Sequence, residues 1–96
     1  MANSILGQVA SVGDSGQLVT DIANDNVASL PSDDTVQVKF AGHETIGLYP
    51  TEHGQPDSTM VASRGASGFV EIEIVGISLS DMLGIKPGES VEVVWT

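Results

Sequence analysis

Ninety-six residues, 41% of them apolar, make a single globular domain, 1–96, with room for one modest core. The absence of cysteine excludes a disulfide framework, a thiolate metal site and a cysteine nucleophile. Thirteen Asp and Glu against three Lys and Arg give a net charge of −10, which sets the chain against phosphate backbones and anionic lipid, so neither nucleic acid nor a membrane is expected as a partner. Apolar runs of only a few residues are too short for a membrane helix. The opening "MANSILGQVAS" lacks the basic region and apolar block of a signal peptide, so a cytoplasmic protein is expected.

In chain order, the pattern is one of short strands and turns. Ile5 to Val12 is a first strand, turned by "GDSG", and Gln17 to Ile22 returns as a second. "ANDNVASLPSDD" interrupts, with at most one helical turn around Val27 to Leu30. Val36, Val38 and Phe40 alternate with Gln37 and Lys39, the mark of a half-buried strand. "AGH" turns into a strand from Glu44 to Tyr49, with His43 at the hairpin tip. A polar loop, "PTEHGQPDS", precedes a fifth strand, Thr59 to Ser63. "RGASG" turns into a sixth, Phe69 to Val75, with Glu71 and Glu73 on its outer side. Ser78 and Asp81 fit a capping box opening a short helix, Ser78 to Leu83. Leu79, Met82 and Leu83 share its apolar face, and Gly84 suits the left-handed residue that ends it. Val91 to Trp95 is a seventh strand. Seven strands and one short helix imply an all-β fold, a small barrel or sandwich. The expected core is Val38, Phe40, Ile72, Ile74, Leu83, Val91, Val93 and Trp95.

Catalytic and metal signatures are sparse. His53 with Glu52 and Asp57 is the one local group with metal-ligand chemistry, but polar loop histidines are more often simply solvated. No nucleophile elbow or phosphate-cradling glycine pattern occurs. Glu71 and Glu73 fall on one side of a strand, where a solvated acidic face explains them without catalysis. No cofactor, metal ligand or catalytic residue is assigned.

Three segments in order resemble one family. "GQVASVGDSGQLVTDI" is similar to the opening of the C-terminal domain of the S-adenosylmethionine hydroxide adenosyltransferases, relatives of the fluorinating and chlorinating enzymes. Gly7, Val9, Val12, Gly16, Leu18, Val19, Thr20 and Ile22 fit the family pattern, with Gly13 in place of an Asp. "LYPTEHGQP" resembles a second family segment through Tyr49 and Gly54. "SGFVEIEIVGISLSDMLGIKPGESVEV" matches a third without a gap, through Ser67, Gly68, Glu71, Ile72, Ser78, Leu83, Gly84, Gly88 and Val91. Val70 and Ile85 stand there for Leu, and Glu89 for Asp.

The resemblance implies a seven-stranded barrel that carries much of an adenine site. Gln17 takes the place of the family's adenine-contacting Asn, Asp21 of a second Asn, Ser15 of a Phe and Val75 of a further Asn. The family's serine–glycine turn falls either on Ala66, Ser67 and Gly68 or on Ser63, Arg64 and Gly65. The implied ligand rim is therefore Gly16, Gln17, Thr20, Ser63, Arg64, Ser67 and Gly68. The family's catalytic N-terminal domain has no counterpart in these residues, so no catalysis by this chain alone is expected. Three functions follow: a stand-alone binding or interaction module with weak nucleoside affinity, the C-terminal part of a two-chain adenosyltransferase, or a purely structural barrel. The partners implied are an adenosyl-type small molecule and a protein, either another chain or further copies of this one.

Overall fold

The computed structural model describes residues 3–30, 35–50 and 54–95. Seven strands form one antiparallel sheet that curls into a nearly closed barrel. They are β1 Asn3–Val12, β2 Leu18–Ala23, β3 Val36–Phe40, β4 His43–Ile46, β5 Met60–Arg64, β6 Phe69–Ile74 and β7 Ser90–Trp95. Their order across the sheet is β4-β3-β7-β1-β2-β6-β5. The barrel and the short α-helix are those expected from the sequence, with β3 at its expected limits and other strand ends displaced by no more than three residues.

β1 explains how the sheet curls. Its first part pairs with β7, from Asn3↔Trp95 to Gln8↔Ser90. Its last part pairs with β2, where Val9 faces Thr20 and Ser11 faces Val19. Ala10 is therefore an extra residue, a β-bulge that bends the strand. The bulge also resets the alternation, so that Val9 and Val12 both turn toward the core. Gly7 lets β2 pass close by, since a Cβ there would lie 2.5 Å from Asp21 Oδ1 and 2.6 Å from Ile22 Cγ1. Asp21 answers across the same gap, accepting a hydrogen bond from the Gln8 amide at 2.9 Å.

The two ends of the sheet meet through the segment that follows β4. Tyr49 forms a parallel bridge with Ser63. Its amide donates to the Ala62 carbonyl at 3.0 Å, and its carbonyl accepts from the Arg64 amide at 2.8 Å. This covers part of the edge of β5, which would otherwise offer free backbone groups to other chains. The expected strand from Glu44 to Tyr49 is thus two pieces, β4 and the Tyr49 bridge, and His43 opens β4 while Ala41 and Gly42 form the turn.

Alternate residues of each strand fill the interior. Leu18 and Ile22 of β2, Val36, Val38 and Phe40 of β3, Val70, Ile72 and Ile74 of β6, and Val91 and Val93 of β7 are all buried. The expected core needs two corrections. Trp95 and Leu83 are only half-buried, packed against the core rather than within it. Trp95 ends its strand at the margin of the barrel. Leu83 belongs to α1, Leu79–Leu83, whose five residues are little more than one turn. So short a helix aims a single side chain inward, and that is Leu79, fully buried, while Met82 is 63% exposed. The helix limits are otherwise as read. The Ser78 hydroxyl accepts from the Asp81 amide at 3.3 Å, and Gly84 is left-handed with φ 68°. The helical turn expected at Val27 to Leu30 is a 3-10 turn placed slightly earlier, Asn24–Val27. Among the described residues no helix is long and apolar enough to cross a membrane.

Candidate functional site

The residues of the implied ligand rim fall in three places. Gly16 and Gln17 belong to the β1–β2 turn. There the Gly16 amide donates to the Gly13 carbonyl and the Gly13 amide to the Gln17 carbonyl, both at 2.9 Å. The Gln17 side chain folds back over Gly13, and its Oε1 accepts from the Ser15 amide at 3.1 Å. Gly16 is buried with φ 80°. A Cβ there would lie 2.7 Å from the Ser78 Cα, so only glycine allows the turn to press against the start of α1. The Gly16 carbonyl accepts from the Ser80 amide at 3.0 Å, which fastens turn to helix.

Thr20 lies inside the barrel, 1% exposed. Its hydroxyl donates to the Val70 carbonyl at 2.7 Å and accepts from the Ile22 amide at 3.2 Å. Both are links to backbone groups, one across to β6 and one within β2, and they account for a polar residue in the core.

Ser63, Arg64, Ser67 and Gly68 belong to β5 and the β5–β6 turn. Ser63 is buried opposite Glu71. The Ser67 hydroxyl donates to Glu71 Oε2 at 2.7 Å, and the Gly68 carbonyl accepts from the Asn24 amide at 2.9 Å. The turn therefore abuts the far end of β2, where Ala23 faces Phe69. Gln17 abuts the near end, beside Leu18, which faces Ile72. β2 is irregular between Val19 and Ala23, so along β6 those ends are only three residues apart, Ile72 to Phe69, roughly 10 Å at about 3.3 Å per residue. The implied rim is thus spread along the β2–β6 pair, with Val19, Glu71 and Ser63 in one row across β2, β6 and β5. Of the two placements of the serine–glycine turn, the one on Ser63 begins in the row of Glu71 and Val19, two residues from Gln17, and the one on Ser67 reaches that row through its bond to Glu71.

Arg64 is bound by the fold itself. Its Nη1 donates to the Leu48 carbonyl at 3.2 Å. Its Nη2 donates to the carbonyls of Val27 at 3.0 Å and Leu30 at 2.7 Å. These charge-assisted bonds tie the 3-10 turn and the segment after it to the closing seam of the barrel.

Beside Gly16 lies an open cleft of about 400 Å³, lined by Ser15, Glu73, Ile74, Gly76, Ile77 and Ser78. Ile77 gives it an apolar wall, 39% exposed, and Glu73 a carboxylate. Glu73 reads in the sequence as one of many acids on an outer face, and the β2–β6 pairing, with Ile72 opposite Leu18, brings it next to the β1–β2 turn. Ser15 was open to view as the residue standing for the family's Phe. Among the described residues no three His, Asp or Glu side chains gather as a metal site. His53 and Glu52 lie outside the described residues.

No family model matches the sequence, and no curated protein matches it. Solved structures do. An uncharacterized conserved protein from Thermotoga maritima is 25% identical over 94% of this chain, with a TM-score of 0.77. A conserved hypothetical protein from Thermus thermophilus is 22% identical over 92% of it, with a TM-score of 0.69. The chain spans about a third of the length of each, 35% and 34%. The likeness establishes the barrel as a fold that recurs within larger proteins.

Proposed function

We propose that this barrel is a non-catalytic binding module that holds an adenosyl-type nucleoside weakly in the cleft beside Gly16 and Ser78. The observation that carries this reading is the packing of buried Gly16 onto Ser78. It sets the turn that resembles the adenosyltransferase adenine loop against a cleft with an apolar wall, Ile77, and a carboxylate, Glu73. An apolar wall suits a planar base, and a carboxylate accepts hydrogen bonds from the hydroxyls of a ribose. Of the residues implied by the resemblance, Gly16 adjoins this cleft through Ser78, and Gln17 follows it in the same turn. Thr20, Arg64 and Ser67 hold the barrel together through the bonds described above and are assigned a structural role.

Adenosine and S-adenosylmethionine titrated into the labelled protein should shift the amides of Ser15, Gly16, Glu73, Ile77 and Ser78 at millimolar-scale ligand. Neither ligand should be converted, because the reading assigns no residue to the activation of water. Shifts confined to the turn from Ser63 to Gly68 would move the site to the β5–β6 turn. No shift with any nucleoside would leave a structural barrel. Release of adenosine and methionine that survives repurification would overturn the non-catalytic reading.

A further inference from the structure

We infer that the outer face of β1, β7, β3 and β4 docks a partner polypeptide presenting an apolar side chain flanked by lysine or arginine. This goes beyond the nucleoside reading and concerns a different part of the barrel. Strand register defines the face. Leu6 stands opposite Glu92, Glu92 opposite Lys39, and Lys39 opposite Glu44. In the next row Ser4 faces Val94, Val94 faces Gln37, and Gln37 faces Ile46. Residues directly opposite one another project to the same side of a sheet. Two rows across four strands therefore form one surface. Leu6 and Ile46 are its apolar ends, 74% and 55% exposed. A cleft of about 470 Å³ opens between Leu6, Lys39, His43, Glu44, Ser90 and Glu92.

Outward strand positions are ordinarily polar, and large apolar side chains exposed on one face, here Leu6 and Ile46 with Val94 between them, mark contact surfaces. The turn beside the cleft adds a second sign. Ala41 has φ 49° and Gly42 φ 81°. Such turns favour Asn or Asp at the first position. Ala41 keeps a methyl group on the cleft wall in a conformation unfavourable for it, as residues do where a surface is shaped for contact.

Charge selects the occupant. Glu44 and Glu92 bracket a single lysine in the first row, on a chain of net charge −10. A second copy would bring another −10 to the same face, and that repulsion works against self-association. A partner with basic residues around an apolar anchor satisfies both the acids and the exposed leucine and isoleucine.

The test uses an acetylated Lys-Leu-Lys-Leu-Lys peptide and its Glu-for-Lys counterpart, titrated into isotopically labelled protein. The basic peptide should shift the amides of Leu6, Lys39, Glu44, Ile46 and Glu92 and leave Ser15 and Ser78 unmoved. L6N and E92Q should each weaken it at least about fivefold, a loss near 1 kcal/mol. Both substitutions lie on the outer surface, and an unchanged thermal midpoint checks that the fold is kept. Equal binding of the two peptides, shifts scattered over the acidic surface, no shift at all, or indifference to L6N would each overturn the proposal. Self-association abolished by L6N would assign the face to a second copy and overturn it also. Adenosine added to L6N separates the two readings, since its shifts near Ser78 should persist whether or not the face binds the peptide.

Discussion

Arg64 shows how far a residue's role depends on contacts that its neighbours in sequence do not reveal. In the sequence it is one of three cations, set before a glycine-rich turn, where a free carboxylate or phosphate is a reasonable partner. In the fold its guanidinium meets carbonyls 16, 37 and 34 residues away, at Leu48, Val27 and Leu30. No local pattern encodes that arrangement, because it arises only when the barrel closes and the 3-10 turn covers its end. The planar fork of arginine reaches several acceptors at once, and lysine, a point charge, does not. Arg64→Lys should therefore cost about 1 to 3 kcal/mol in a urea titration, the effect of leaving part-buried acceptors without their donor. The loss should be accompanied by faster amide exchange at Ala28 and Leu30, whose amides bond within the 3-10 turn and just after it. A variant with the native midpoint and native exchange would show that the seam holds without the guanidinium.

Among the elements, strands were the most legible. Clean alternation in β3, β6 and β7 announces which side faces inward, and the structure follows it at Val36, Val38, Val70, Ile72, Val91 and Val93. The bulge at Ala10 was not legible, because its cause is the change of partner from β7 to β2 along one strand. The helix was legible at its ends and misleading in its middle. Ser78 and Gly84 mark its limits by hydrogen bonding and backbone conformation, which are local. Its apolar stripe does not, because burial depends on which part of one turn meets the barrel. Leu79 is fully buried, whereas Leu83 is only partly so. Leu79→Ala should cost about 2 to 5 kcal/mol, the range for a buried leucine, and Leu83→Ala clearly less. Paired denaturant titrations of the two variants decide the matter. Equal losses would mean that α1 docks through both leucines.

At the scale of the whole molecule, turn signals and strand count were enough to indicate a barrel, whereas the site was not assembled by them. Gln17 and Ser67 read as one rim in the resemblance, but what lies between them is set by the β2–β6 register, with Glu71 opposite Val19 and β2 irregular from there to Ala23, and register is a property of paired strands rather than of either segment alone. Net charge, by contrast, is wholly legible and acts on the whole molecule. A charge of −10 is gathered on a body with a radius of gyration of 11.9 Å. Unfolding spreads those charges apart, so their repulsion counts against the folded state. At 0.01 M salt the screening length is about 30 Å, longer than the folded radius, and at 1 M it is about 3 Å. Sodium chloride raised between those limits should therefore stabilise the barrel, shifting the thermal midpoint upward by several degrees, or about 1 kcal/mol for a domain of this size. Most of the gain should come below roughly 0.1 M, where the screening length falls under the molecular radius. Potassium chloride should act alike, since screening depends on ionic strength and not on the ion. A midpoint that stays level with salt would mean that the scattered acids are neutral to stability, and one that falls would mean that attractive pairs outweigh the repulsion.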